Sequence, residues 1–231
     1  MSASHNTALF EIKIMAMILD EAKRRGFCHE NPCRNLKLKK NKPDPKLVIT
    51  EADIELIRRE LLAEPEWMRV SFEIAILHGT RLRATCINLE RDVDWKTRRI
   101  TFHEKGGKIF TVPIHPELLP VLEKLKASGR TTTCDIPKDA SKKWRRFFKR
   151  IGRKDYCFHC CRVTVITRLA QSGVSEAKAM KYVGHACTEI HRQYQALSVE
   201  DLACCHEPLR LPRVNPEDSN GASGPAPTPV A

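Results

Sequence analysis

Apolar residues in this chain recur mostly at helical spacing. Between residues 7 and 25, Phe10, Ile14, Met17 and Ile18 share one side of a helix that Arg24, Arg25 and Gly26 close. Thr50 with Asp53 three positions on has the form of an N-cap and its acidic partner, and opens a helix running to about Leu62. Residues 67–78 make the next helix, with Gly79 placed as a left-handed stop, and Arg81 stands at the start of a short helix reaching about Leu89. Helical patterns return over 116–126, 142–151, 162–171 and 175–182, and a last pair follows Thr188.

One stretch breaks this period. Over residues 98–113 the order becomes alternating: Ile100 and Phe102, then Gly106-Gly107, then Ile109, Phe110 and Val112. That is a hairpin with a tight glycine turn, to which residues 93–95 add a third short strand. The pattern predicts a mainly α fold with a small antiparallel β-sheet, an α+β class. A chain of 231 residues can bury one full domain with an appended fragment.

Charge narrows the partner. Forty Lys and Arg against 28 Asp and Glu give a formal net charge of +12, which favours a polyanion such as DNA or RNA over a merely basic soluble protein. Lys37, Lys39, Lys40 and Lys42 lie in a Pro-containing stretch that reads as an extended basic linker. In KKWRRFFKRIGRK at 142–154, Trp144, Phe147 and Phe148 recur near helical spacing and serve as core anchors. Lys142, Lys143, Arg145 and Arg146 are left on the outer face. Lys108 stands near the hairpin tip, from which it reaches towards a groove. These nine cations are the candidate DNA contacts. Residues 208–231 are rich in Pro, Gly, Ser and Ala, bury little, and are expected to be disordered.

Ten cysteines raise the question of disulfides or metal. The chain starts without a secretory signal, and its apolar run at 14–19 falls far short of the roughly 18 residues a membrane span needs. A soluble protein of the reducing cytoplasm, without membrane contact, is expected. Cys157, His159, Cys160 and Cys161, and again Cys204, Cys205 and His206, look superficially like ligands. The adjacent Cys160 and Cys161 point to different helix faces, so small cysteines packed in a helical core are preferred to zinc, and no metal or other cofactor is expected.

Six scattered residues carry chemistry: Arg81 in Gly79-Thr80-Arg81, Lys105 after Glu104, His159 and Arg162 in His159-Cys160-Cys161-Arg162, His185 after Gly184, and Tyr194. Two guanidiniums can clamp the non-bridging oxygens of a phosphodiester as charge grows on them. His159 and Arg162, three apart at a helix start, share a face. Tyr194 lies nine positions after His185, about 13.5 Å along a continuous helix, so convergence requires a break; Thr188 is a candidate N-cap just after it. A phenol with a pKa near 10 is a weak nucleophile at neutral pH and needs cations and a proton acceptor, which His159 and His185 can supply.

With these residues in this order the chain resembles the tyrosine recombinases of the phage integrase family. There a Gly-x-Arg, a hairpin Lys, His-x-x-Arg, Gly-His and a Tyr nine positions later follow one another. The matching stretches are HGTRL, FHEKGGKIFTVPIHP, FHCCRVT and YVGHACTEIHRQYQAL, within about residues 47–200. The resemblance implies a catalytic domain over 47–207 that cleaves and rejoins DNA through a 3′-phosphotyrosine intermediate. Tyr194 would attack the scissile phosphate and Lys105 would protonate the leaving oxygen. Arg81, Arg162 and His185 would hold the phosphate oxygens, and His159 would act as base or orienting group. It also implies double-stranded DNA as partner and a homo-tetramer on paired sites, with residues after Leu197 docking on a neighbouring subunit.

The match has departures. Ala84 stands three after Arg81, where the family often places an acid that braces the arginine, and Cys160 and Val163 replace commoner polar choices. Residues 1–46 read as a remnant of the family's helical core-binding domain plus the basic linker, so the chain is expected to be a truncated mobile-element integrase. A catalytically impaired DNA-binding remnant is the main alternative. A type IB topoisomerase-like enzyme is the lesser one, because those commonly carry Arg or Lys where His159 stands.

Overall fold

The helix expected near the N-terminus is α1, His5–Arg24. The computed structural model describes residues 5–34, 36, 39, 41, 46–104, 106–185 and 188, and chain contacts divide it into two units, Met1–Pro45 and Lys46–Ala231. In the first unit Leu9 is buried, while Phe10, Met17 and Ile18 of the expected apolar side are exposed. Polar contacts hold the following chain to α1. Asn31 donates to the Ala16 carbonyl at 2.7 Å and to Asp20 at 2.8 Å, and Asn6 exchanges two hydrogen bonds with the backbone of Asn41. Asn41 is thereby held to the start of α1.

The second unit opens as its sequence dictates. Thr50 is the N-cap of α2 (Glu51–Glu60), its hydroxyl accepting from the Asp53 amide, and a 3-10 turn at Leu61–Ala63 ends it. α3 (Glu66–His78) stops at Gly79, whose φ of 65° is left-handed. The short helix expected from Arg81 to about Leu89 is only a 3-10 turn, Leu82–Thr85, with Arg81 at its N-cap. Beyond it Ile87 and Leu89 are drawn into a two-way exchange with residues 131–133, Leu89 donating to the Thr131 carbonyl and Thr133 to that of Ile87, and these long-range bonds replace helical ones.

β1 (Val93–Asp94), β2 (Arg99–Glu104) and β3 (Lys108–Pro113) form an antiparallel sheet in sequence order. Its register sets Ile100 against Val112, Phe102 against Phe110 and Glu104 against Lys108. Period-2 geometry puts Ile100, Phe102 and Glu104 on one face, and all three are buried. The remaining helices are α4 (Leu119–Ala127), α5 (Ala140–Arg150), α6 (Cys160–Gln171) and α7 (Glu176–Val183). The expected α+β class holds.

α3 divides the core. Met68, Phe72 and Ala75 face α2 and α5, where Trp144, Phe147 and Phe148 are buried as the anchors expected of them. Val70 and Ile74 face the sheet and α4. Trp144 lies 4.9 Å from Phe158 and 5.5 Å from both Phe147 and Phe148 by ring centroids. This packing fixes the segment entering α6. α6 also packs against α3, so Arg162, early in α6, comes to lie beside Gly79 at the end of α3.

Candidate active site

Two left-handed helix ends build the site. Gly79 and Gly184 (φ 65° and 69°) terminate α3 and α7, and each is also approached closely by side chains from other elements. A Cβ on Gly79 would stand 3.1 Å from Val183 Cγ1, and one on Gly184 would stand 2.5 Å from the Phe110 ring. Close approach at these two turns brings α3, α6, α7 and the sheet to one point. His185 follows Gly184 directly, and Arg81 stands two positions after Gly79.

Arg162 lies at that point and is fully buried. Its Nε donates to His185 Nε2 at 3.1 Å, and its Nη1 donates to the Gly79 carbonyl at 2.7 Å and to Glu104 Oε1 at 3.0 Å. The acceptor role of His185 Nε2 places that imidazole's proton on Nδ1. The other oxygen of Glu104 receives Arg81 Nη1. One carboxylate thus bridges two guanidiniums, and the three groups retain a net positive charge suited to an anion.

Arg81 is the open member. Its side chain is 42% exposed, whereas that of Glu104 is 0% exposed. With His159, Arg81 lines an open pocket of about 450 Å³, shared with Lys46, Arg145, Lys154 and Cys157. His159 occupies the N-cap position of α6. Burial, together with the Arg162, Arg81 and Lys46 charges, pushes its pKa down to about 4, so it is a neutral imidazole at neutral pH. A neutral imidazole has one ring nitrogen of acceptor character.

The structure therefore brings Arg81, His159, Arg162 and His185 to one locality, with Arg162 inside the protein and Arg81 at its surface. Lys105 and Tyr194 lie outside the described residues, as do Lys37, Lys40 and Lys42, the pair of helices after Thr188, residues after Leu197 and the 208–231 tail. Lys39, Lys142, Arg145 and Arg146 are exposed and Lys143 is half-buried. Lys143 and Arg146 approach Asp139 at 3.7 and 3.9 Å. Lys108, expected to reach towards a groove, has a partner within the protein. Its Nζ donates to the Gly184 carbonyl, because the C-terminal carbonyls of α7 attract a cation and β3 runs alongside them.

Sequence reasoning missed Glu104. The signal was present: a carboxylate continuing the inward row of Ile100 and Phe102 must find charged partners once buried. Local pattern gives no means of naming those partners, which lie 23 and 58 positions away. No acid stands at Ala84, which is itself buried. Glu104 approaches Arg81 from the sheet instead.

A family model described as the phage integrase family matches residues 48–201. No curated protein matches the sequence. Among solved structures, the Tn1549 transposon integrase in complex with a circular intermediate DNA aligns with a TM-score of 0.68 at 15% identity, over 90% of this chain and 81% of that one. A lambda integrase dimer bound to a COC' core site gives 0.63 at 18% identity, covering 80% and 71%. XerA recombinase gives 0.57 at 17%, covering 92% and 85%. At these identities the likeness is one of fold.

Proposed function

The chain belongs to the phage integrase family of tyrosine recombinases, a family of site-specific DNA recombination, and from that membership we propose that it cleaves and rejoins DNA through a 3′-phosphotyrosine link made by Tyr194. The observation that carries the reading is the Arg81–Glu104–Arg162–His185 group with His159 at its edge. In this reading residues 47–207 are the catalytic domain, and residues 1–46 are a helical unit with a basic linker.

The phenol oxygen of Tyr194 attacks phosphorus and the 5′ oxygen leaves, taking its proton from Lys105. His159, neutral at the working pH, accepts or orients the proton of the phenol. Arg81 meets the phosphate from the open pocket, and Arg162 and His185 support its oxygens from the buried side, where charge stabilisation is strong because water is excluded. The phosphate bond energy stays in the protein link, so attack by another 5′-hydroxyl reseals a strand without an added energy source. Double-stranded DNA is the partner, a homo-tetramer on paired sites the assembly, a mobile element the setting and the cytoplasm the compartment.

The test uses duplexes selected from a random pool by binding and then nicked beside the cleavage point, so that cleavage traps the enzyme. A covalent protein–DNA adduct on a denaturing gel is expected, and its loss in Tyr194→Phe. Tight binding without any adduct overturns the enzymatic reading in favour of a DNA-binding remnant, and efficient relaxation of supercoiled plasmid without strand exchange favours a topoisomerase.

A further inference from the structure

The pocket beside Arg81 and His159 also reaches a pair of thiols that strand cleavage does not use. Cys157 and Cys160 bracket the segment Cys157-Phe158-His159-Cys160 at the start of α6, with their Sγ atoms 3.8 Å apart. The Cys157 amide points at Cys160 Sγ at 3.4 Å, and the Cys160 amide bonds the Cys157 carbonyl at 2.9 Å. The turn therefore already holds both sulfurs on one side. A disulfide needs sulfurs at about 2.05 Å, so closure asks for less than 2 Å of approach, within the range of side-chain rotation.

The two thiols are unequal. Cys157 is half-buried and lines the pocket, whereas Cys160 is fully buried. The hydrogen bond between the two thiols lowers the Cys157 pKa and raises that of Cys160, and against the cost of burial the His159 amide and the Lys46 charge add to the lowering at Cys157. Thiolate character thus collects on the accessible sulfur, as an attacking cysteine requires. Lys46, Arg145 and Lys154 around the same pocket favour an anionic reagent.

We propose that Cys157 and Cys160 form a dithiol site that reacts with anionic low-molecular-weight disulfides and closes into a reversible disulfide spanning His159. The Cys157 thiolate attacks one sulfur of the small disulfide. That S–S bond breaks, one small thiolate leaves and takes up a proton from water, and a mixed disulfide remains on Cys157. Cys160 then loses its proton to solvent and attacks Cys157 Sγ, expelling the second small thiolate, which is protonated in turn. The dithiol is oxidised by two electrons and the small disulfide is reduced to two thiols. Oxidation of this kind suits a reducing compartment, where protein disulfides are transient.

The experiment equilibrates the full chain, without DNA, in mixtures of reduced and oxidised glutathione. Samples are quenched in acid, alkylated and peptide-mapped. The expected result is a Cys157–Cys160 linked peptide that grows with the oxidised fraction and is reversed by dithiothreitol. Cys160→Ser should instead accumulate glutathione on Cys157, and Cys157→Ser should leave Cys160 unmodified. The exposed Cys86 reports that the reagent is active. If Cys157 and Cys160 of the unaltered chain both remain alkylatable while Cys86 takes glutathione, the proposal is overturned. Since Cys160 is buried and its serine variant is at risk of misfolding, the mapping of the unaltered chain decides the matter. No DNA cleavage enters the measurement, so its outcome is independent of the recombinase reading.

Discussion

Glu104 shares its carboxylate between an exposed and a buried guanidinium, and the two sides carry different consequences. Towards Arg81 it fixes the direction of the guanidinium that lines the open pocket, from the sheet and not from the position of Ala84. Towards Arg162 it compensates a charge that is otherwise costly to bury. Glu104→Ala is expected to destabilise the protein by about 3–5 kcal/mol in urea denaturation, and Glu104→Gln, which keeps the volume and one acceptor, by less. A second polar residue sets the acid response. His78 is buried, and its Nε2 accepts from the His115 amide at 3.3 Å. That leaves the proton on Nδ1, donated to the Tyr182 hydroxyl at 3.1 Å, which donates in turn to the Leu77 carbonyl. Burial, with His115 nearby, lowers the His78 pKa from 6.5 to about 3. The unfolded chain therefore binds this proton first. The stability contribution is complete above about pH 6.5 and is lost as pH falls from there towards 3, with the lowered His159 acting in the same direction. Thermal melting between pH 7 and 4 should show a falling Tm, with a shallower slope in His78→Gln.

At the level of elements, the ends of helices matter more than their middles. α3 and α7 each stop in a left-handed glycine, and those stops let Arg81 and His185 leave their helices in non-helical directions. Gly184→Ala is expected to cost about 1–3 kcal/mol for the left-handed backbone alone, plus the clash with Phe110. Gly152→Ala is the control, since its φ of 74° is close to the 69° of Gly184 but nothing lies within 4 Å of the added methyl. Equal losses in the two variants, measured by chemical denaturation, would show that the Phe110 approach is unimportant. α5 makes the opposite case, an element held by its middle. Trp144 sits among Phe72, Phe147, Phe148 and Phe158, and Trp144→Ala should cost about 3–5 kcal/mol. The same variant should loosen the entry to α6, seen as faster hydrogen exchange at residues 156–161. This cluster was legible in KKWRRFFKR, because aromatics at helical spacing between cations have only one face to bury.

For the molecule as a whole, the proposed function together with the net charge of +12 and the cations around the pocket predicts that DNA binding is driven by counterion release. Affinity for duplex DNA, followed by fluorescence anisotropy, is expected to fall linearly with log salt. Arg145→Ala should weaken binding evenly across sequences and reduce the salt slope by about 1. An affinity unchanged between low and moderate salt would contradict backbone contact. Arg145 belongs to this test because it joins the pocket of Arg81 and His159 from α5, whereas Lys143 and Arg146 lie near Asp139. Cations that share one helical pattern in the sequence thus separate in the fold.

The sequence by itself determined the α+β class, the hairpin, the capped helix at Thr50, the glycine stop at Gly79 and the aromatic anchors. Each of these depends on residues a few positions apart, where periodicity and backbone preference act directly. It also supplied the ordered motifs that place the chain in its family. Only the tertiary structure decided that Glu104 joins Arg81 to Arg162, that Arg162 lies inside, and that Lys108 meets the Gly184 carbonyl. Those contacts link residues 23 to 83 positions apart. They arise from how closely α3, α6, α7 and the sheet can pack, a property of the whole core that no local pattern contains.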